Sequence, residues 1–298
     1  MVSVVLPCYE MGRFLGDALA SIVGQTYSRW EIIAVDDCGS EDGTRGLVER
    51  YASRDTDHRI EYVRHAKNKG VSAARNTGIG LAYGELLAFL DPDDVWGPKF
   101  LVEHVHALTA TGAALSYTDT RYVSESLEPL GRLLGPPPNE KRPNLVLRKY
   151  NFINPSAVVC RREEIESVGG FDESPEIQHV EDWDLWLRLL AEGMTLCYTP
   201  SAISYNRRHP RQATNQTESM RQRYIALRKK HLSDPEYQAF IASYLLEKEL
   251  ECSALEAQLA AGRAPTHLRG AVSRIAPRWA KAAWRMARRA LRTTPAGC

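Results

Sequence analysis

The chain has 298 residues, a formal net charge of +1, 44% hydrophobic residues and 25% charged residues. That length is enough to bury the core of one large α/β domain with an appendage, and the near-neutral total gives no electrostatic case for binding nucleic acid. No run of about 18 apolar residues argues for a membrane-spanning helix, and the six cysteines (Cys8, Cys38, Cys160, Cys197, Cys252, Cys298) show no CxxC or zinc-finger spacing, as expected of reduced cytosolic thiols.

The N-terminal run Val2 to Leu6 is β-branched, apolar and stopped by Pro7, so it reads as a buried strand and not as a signal peptide. Met11 to Val23 has helical periodicity, Glu31 to Val35 reads as a second strand, and Glu41 to Ala52 as a helix. A third strand is expected at Ile60 to Val63, an Ala-rich helix at Val71 to Tyr83, and a fourth strand at Leu86 to Leu90. The next helix has Pro98 in its first turn, where a missing N–H costs nothing. Gly131 to Pro143 reads as a loop or lid around Pro136-Pro137-Pro138. Pro155 to Val159 and Thr195 to Tyr198 read as strands and Glu181 to Ala191 as a helix; from Gln216 the chain reads as helical.

Apolar strands alternating with helices imply an α/β fold, with a mostly parallel central sheet covered by helices on both faces. Residues 1–215 are assigned to that domain and 216–298 to a helical C-terminal region. Ligands of such sheets bind at the carboxyl ends of the strands. The strands here end in Pro7-Cys8-Tyr9, Asp36-Asp37, Arg64-His65 and Asp91-Pro92-Asp93-Asp94. Three carboxylates at one strand end repel one another unless a cation sits among them, and a hard divalent ion takes such oxygen ligands together with a diphosphate. The alternative is a turn, which Pro and Asp both favour. Asp36 can accept hydrogen bonds from a base or a ribose; Ser40 or Asp42 can cap the following helix, so capping does not account for Asp36. Arg75 opens a helix where it can pair with phosphate or remain a surface residue. Asp182 lies in the first turn of a helix, as a dipole partner or, facing a cleft, as a general base. Trp183 and Trp186 lie at helical spacing and are read mainly as packing, with Trp183 also a candidate face for an acceptor sugar.

Together these stretches resemble the family 2 glycosyltransferases, which share the GT-A nucleotide-diphospho-sugar transferase fold. The likeness runs over roughly Val2 to His209. It is carried by Val4-Val5-Leu6-Pro7-Cys8-Tyr9, Val35-Asp36-Asp37 with Asp42-Gly43-Thr44, Gly70-Val71-Ser72-Ala73-Ala74-Arg75-Asn76-Thr77-Gly78, and Phe89-Leu90-Asp91-Pro92-Asp93-Asp94. Gly169-Gly170-Phe171-Asp172-Glu173 and Glu181-Asp182-Trp183-Asp184-Leu185-Trp186 complete it. The resemblance implies an inverting transfer from a nucleotide diphosphate sugar, expected to be a UDP-sugar, to a saccharide or lipid-linked acceptor. Pro7 and Tyr9 line the base pocket in that scheme, Asp36 contacts the base, Arg75 lies near the nucleotide and Asp91 approaches the ribose. Asp93, with His209 as a further contact, holds Mn²⁺ or Mg²⁺ on the diphosphate, and Asp182 is the catalytic base. Two departures stand out: the Asp36 to Asp42 loop is one residue longer than the usual pattern, and Glu10 stands where that pattern has Asn.

A sugar nucleotidyltransferase of the same fold type needs a Gly-rich basic loop after the first strand, and Cys8-Tyr9-Glu10-Met11-Gly12 is not one. A polyprenyl-phosphate sugar transferase and a non-catalytic nucleotide-sugar-binding module are the remaining alternatives. From Gly262 to Cys298 there is no Asp or Glu but many Arg. Over residues 267–292 apolar side chains including Trp279 recur at three- and four-residue steps among basic ones, the pattern of an interfacial helix on an anionic membrane surface or, alternatively, of a helix packed on the catalytic domain or another subunit. The expected location is cytoplasmic, and on the membrane reading of the tail it is peripheral to the inner face of the cell membrane.

Overall fold

The computed structural model describes residues 1–39, 41–136, 146–210, 212, 217–231 and 237–238. The basic stretch 267–292 lies outside the described residues. A first compact unit runs Met1–His231, and its architecture follows from the alternation above.

Among the described residues eleven strands form two sheets. Seven belong to the central sheet: β1 (Val2–Cys8), β2 (Trp30–Asp36), β3 (Ile60–Arg64), β4 (Leu86–Phe89), β6 (Leu115–Tyr117), β9 (Val158–Arg161) and β10 (Leu196–Tyr198), in the order β10-β6-β9-β4-β1-β2-β3. All neighbours are parallel except β9, which runs antiparallel to both β4 and β6. The four remaining strands, β5 (Val95–Trp96), β7 (Thr120–Val123), β8 (Pro129–Leu134) and β11 (Ser204–Arg207), make a second sheet in the order β5-β11-β7-β8.

The α-helices bounded within the described residues are α1 (Gly12–Val23), α2 (Thr44–Arg54), α3 (Val71–Leu81), α4 (Phe100–Thr111), α5 (Arg162–Ser167), α6 (Glu181–Ala191) and α7 (Thr217–His231). Side chains of a strand alternate between faces, and β1 divides its partners accordingly. Val4 and Leu6 join the core made with Leu15, Leu19, Val48, Phe100 and Leu108 of α1, α2 and α4. Val5 meets α3 on the opposite face, so closely that a Cβ on Gly78 would lie 2.3 Å from Val5 Cγ1. The sheet is thus covered on both sides, as its mostly apolar strands require.

Four expectations need correction. Pro129–Leu134 is strand and not loop, because it pairs antiparallel with β7; residues 137–143 of that stretch lie outside the described ones. Pro155–Ala157 is a 3-10 turn that feeds β9. The helix expected from Glu41 starts at Thr44, with Asp42 Oδ1 accepting the Thr44 N–H at 3.1 Å, and Pro98 stands just ahead of α4.

Candidate active site

Strand register places the carboxyl ends of β1, β2 and β3 in one row: Cys8 pairs with Asp36 and Asp36 with Arg64. Pro7 lies within β1, and Tyr9, just beyond it, is 48% exposed, so its ring is available to a planar ligand. Asp36 is buried; Oδ2 accepts from Tyr62 Oη at 2.6 Å and Oδ1 from the Gly39 N–H at 3.1 Å. Burial and the Asp36 charge push the Tyr62 phenol up to about 12. Asp37 is a structural hub: it accepts from His65 Nδ1 (2.7 Å) and from the N–H groups of Lys69 (2.9 Å) and Gly70 (2.7 Å). It thereby fixes the start of α3, where Gly70 adopts φ +93, a conformation that favours glycine. The lengthened loop closes through Asp42, whose Oδ2 accepts the Gly12 N–H at 2.7 Å. Ser40 lies outside the described residues.

Arg75, on α3, is 2% exposed. Its Nη2 donates to Asp91 Oδ1 at 2.8 Å and its Nη1 to Glu181 Oε1 at 2.6 Å. Its charge is therefore engaged by two carboxylates, one at the end of β4 and one at the start of α6. The Asp91 carboxyl is raised by burial, and the Asp93 charge adds to this against the pull of Arg75. Asp94 is fully buried and raised well above the carboxylate range by burial and by Asp93 and Asp91. It accepts from Asn206 Nδ2 (3.0 Å) and the Arg207 N–H (3.1 Å), which braces the acidic segment against β11. Two residues beyond β11, His209 Nε2 lies 2.9 Å from Asp93 Oδ2.

Three carboxylates occupy the first turn of α6, and each has a different partner. Glu181 is held by Arg75. Asp184 is fully buried and bound by Arg188, Lys230 and His231 at 2.8, 2.7 and 2.8 Å. Burial alone would push Asp184 up, but these three hold it well below the carboxylate range. Asp182 accepts instead from a neutral amide, Asn151 Nδ2, at 2.7 Å. Burial, then the charge of Glu181, raise the Asp182 carboxyl to about 7. Asn151 is itself oriented by the Ile153 N–H donating to Oδ1 at 3.0 Å. Sequence reading missed Asn151 and the pairing role of Glu181; only the acidic run at the start of α6 marked the place.

Trp183 and Trp186 are buried, and their indole N–H groups donate to the carbonyls of Leu147 (2.7 Å) and Ile153 (3.2 Å). Trp183 therefore offers no face to an acceptor, and the packing reading of both holds. Asn76 binds the Phe171 backbone in both directions at 2.8 Å, joining the motif on α3 to the Gly169 to Glu173 motif.

The structure thus joins Asp91, Arg75 and the start of α6 that carries Asp182, and separately joins Asp93 to His209; Pro7, Tyr9 and Asp36 line neighbouring strand ends. Among the described residues no group of three or more His, Cys, Asp or Glu side chains forms a ready-made metal cage. The pair Asp93 and His209 nevertheless suits a divalent ion that takes its other ligands from a diphosphate, because it offers one oxygen and one imidazole nitrogen. A cation there would also relieve the repulsion that raises Asp91 and Asp94.

Comparison with known proteins gives a consistent picture. The model of the family described as Glycosyl transferase family 2 matches residues 3–169, more than half of the chain. The putative teichuronic acid biosynthesis glycosyltransferase TuaG of Bacillus subtilis (strain 168) is 31% identical over 195 residues, 65% of this chain and 74% of that one. The Escherichia coli UDP-Glc:alpha-D-GlcNAc-diphosphoundecaprenol beta-1,3-glucosyltransferase WfgD is 28% identical over 193 residues, 65% of this chain and 71% of that one. Among solved structures, S. aureus TarS 1–349 in complex with UDP-GlcNAc superposes with a TM-score of 0.63 at 18% identity, covering 82% of this chain and 71% of that one. A Pyrobaculum calidifontis mannosyltransferase in complex with GDP-Man and Mn²⁺ gives 0.61 at 19% identity, covering 92% and 84%. These two likenesses establish the GT-A fold.

Proposed function

The chain belongs to glycosyltransferase family 2, and on that basis we propose that it transfers a sugar, with inversion, from a UDP-sugar to an acceptor hydroxyl in cell-surface polysaccharide or glycolipid synthesis. One observation carries the mechanism: Asp182 is the carboxylate of its helix turn that has no cationic hydrogen-bond partner among the described contacts. With its carboxyl at about 7, it is ionised in a useful fraction near neutral pH and basic enough to take a proton, the condition for an efficient general base.

In this reading the base of the donor stacks on Tyr9 and is read at Asp36, and Asp91 meets the ribose. Tyr62 and Gly39 hold Asp36 in place, and Arg75 holds Asp91. Asp93 and His209 would hold Mn²⁺ or Mg²⁺, which when bound neutralises the charge of the leaving diphosphate. As the acceptor oxygen bonds to the anomeric carbon, its proton passes to Asp182 Oδ and the bond to the diphosphate breaks. One base on the face opposite the leaving group gives a single displacement through an oxocarbenium-like transition state. Of the two other carboxylates in the turn, Glu181 is ion-paired through Oε1 with Arg75 and Asp184 is bound by Arg188, Lys230 and His231, so neither is offered as a nucleophile.

The relatives named as acting on diphosphoundecaprenol-linked sugars support a lipid-linked acceptor, and the basic residues 267–292 would serve as a contact to an anionic membrane surface. The test is a panel of UDP-glucose, UDP-GlcNAc and GDP-mannose, read by nucleoside diphosphate release with and without Mn²⁺ and with a diphosphoundecaprenol-linked sugar as acceptor. Release that needs both Mn²⁺ and the acceptor supports the proposal. No release from any donor favours a non-catalytic binding module.

A further inference from the structure

The last helix of the first unit, α7, packs back against the first turn of α6. At the carboxyl end of α7, His231 Nε2 lies 2.8 Å and Lys230 Nζ 2.7 Å from Asp184 Oδ1. Lys230 also binds Asp172 Oδ2 at 2.5 Å, within the motif that Asn76 ties to α3. One turn back, Arg228 donates to the Lys149 carbonyl at 3.0 Å and lies 5.8 Å from the Trp183 ring; Tyr224 meets the same ring edge-on at 5.8 Å. Lys149 lies two residues from Asn151, the partner of Asp182. The helix α7 therefore grips both sides of Asp182: Trp183 and Asp184 on α6, and the short segment that delivers Asn151. A fully buried Asp184 is costly to maintain without its cations, so the contact strongly constrains how α6 is seated.

We propose that Lys230 and His231 are positioning residues for the reaction: by latching Asp184, they set the seat of the α6 first turn and hence the placement of Asp182 against the acceptor hydroxyl. The proposal rests on the assignment of Asp182 as base. The latch touches none of the strand ends assigned to the donor, so its loss should leave nucleotide binding intact and act on turnover. Misplacement of a catalytic group by about 1 Å costs on the order of 10²-fold in rate, and partial loosening is expected to cost about 10-fold.

The experiment uses the full chain. Wild type, Lys230→Ala/His231→Ala, Leu227→Ala and Asp182→Asn are compared by UDP calorimetry, thermal melting and turnover of the best donor from the panel above. Leu227 is buried in α7 and makes none of the contacts to Asp184, so Leu227→Ala controls for loosening of the helix in general. The double variant is expected to keep UDP affinity within about twofold and to lose about 10-fold or more in kcat, while Leu227→Ala of similar melting temperature keeps its kcat. Three results overturn the latch: kcat of the double variant within twofold of wild type, UDP affinity lost in parallel with kcat, or an equal loss in Leu227→Ala. If Asp182→Asn turns over normally, the base assignment fails, and that failure is read independently of the other variants.

Discussion

Arg75 and Glu181 are 106 residues apart in sequence and meet at 2.6 Å, both nearly inaccessible to solvent. Through Asp91, on its other amino group, Arg75 couples the end of β4 to the helix that carries Asp182. One guanidinium therefore locks the end of β4, assigned above to the donor, to the helix start assigned to the acceptor.

That lock sets the first expectation. Arg75→Met leaves two carboxylates without their cation, a change that typically costs about 3–5 kcal/mol for a buried pair. Arg75→Lys cannot span both with one ammonium and should also lose activity. Thermal melting and transfer assays check this; a methionine variant that melts with wild type would show that the pair contributes little to stability.

The pH dependence has a definite sign. A base must be deprotonated to act, so kcat should rise with pH through about 7, where the Asp182 carboxyl stands. The charge of Glu181 raises that carboxyl, so Glu181→Gln should move the acid limb to lower pH. The Asn151 hydrogen bond favours the ionised form, so Asn151→Leu should move it to higher pH. Shifts in the same direction in both variants would refute this account of the tuning.

For the metal, Asp93→Ala should abolish transfer, and wild type should lose activity in EDTA. His209→Ala should raise the Mn²⁺ concentration needed for half-maximal rate by about 10-fold or more, the scale on which metal sites respond to a lost neighbouring group. Full activity of the wild type in EDTA would remove the metal from the mechanism.

Backbone geometry gives a fourth expectation. Gly78→Ala places a Cβ 2.3 Å from Val5 and should destabilise by about 1–3 kcal/mol through overpacking. Glu10, at φ +56, occupies a conformation that Asn tolerates better, so Glu10→Asn should stabilise by up to about 1 kcal/mol. Denaturant unfolding measures both.

The central sheet was legible because fully buried strands leave mostly apolar runs between helical periods, as in Val4 to Leu6 and Ile32 to Val35, with the one polar pair, Ser3 and Glu31, bonded to each other across the sheet. The second sheet was not: β5 and β11 are short, and β11, Ser204–Arg207, carries polar residues whose partners lie 112 and 113 residues away at Asp94. The acidic residues of the site could be read from their places at strand ends and at one helix start. What divides their labour could not, because it depends on which carboxylate meets a cation, as Glu181 meets Arg75, and which meets an amide, as Asp182 meets Asn151.

The most direct test of the central claim is Asp182→Asn, with UDP affinity by calorimetry and transfer rate measured on the same preparation. The substitution keeps the shape of the side chain and removes the base. UDP affinity should stay near wild type while transfer falls by about 10²-fold or more, the usual scale for loss of a general base. Lost UDP binding, or turnover close to wild type, would contradict the assignment of Asp182 as the group that accepts the proton.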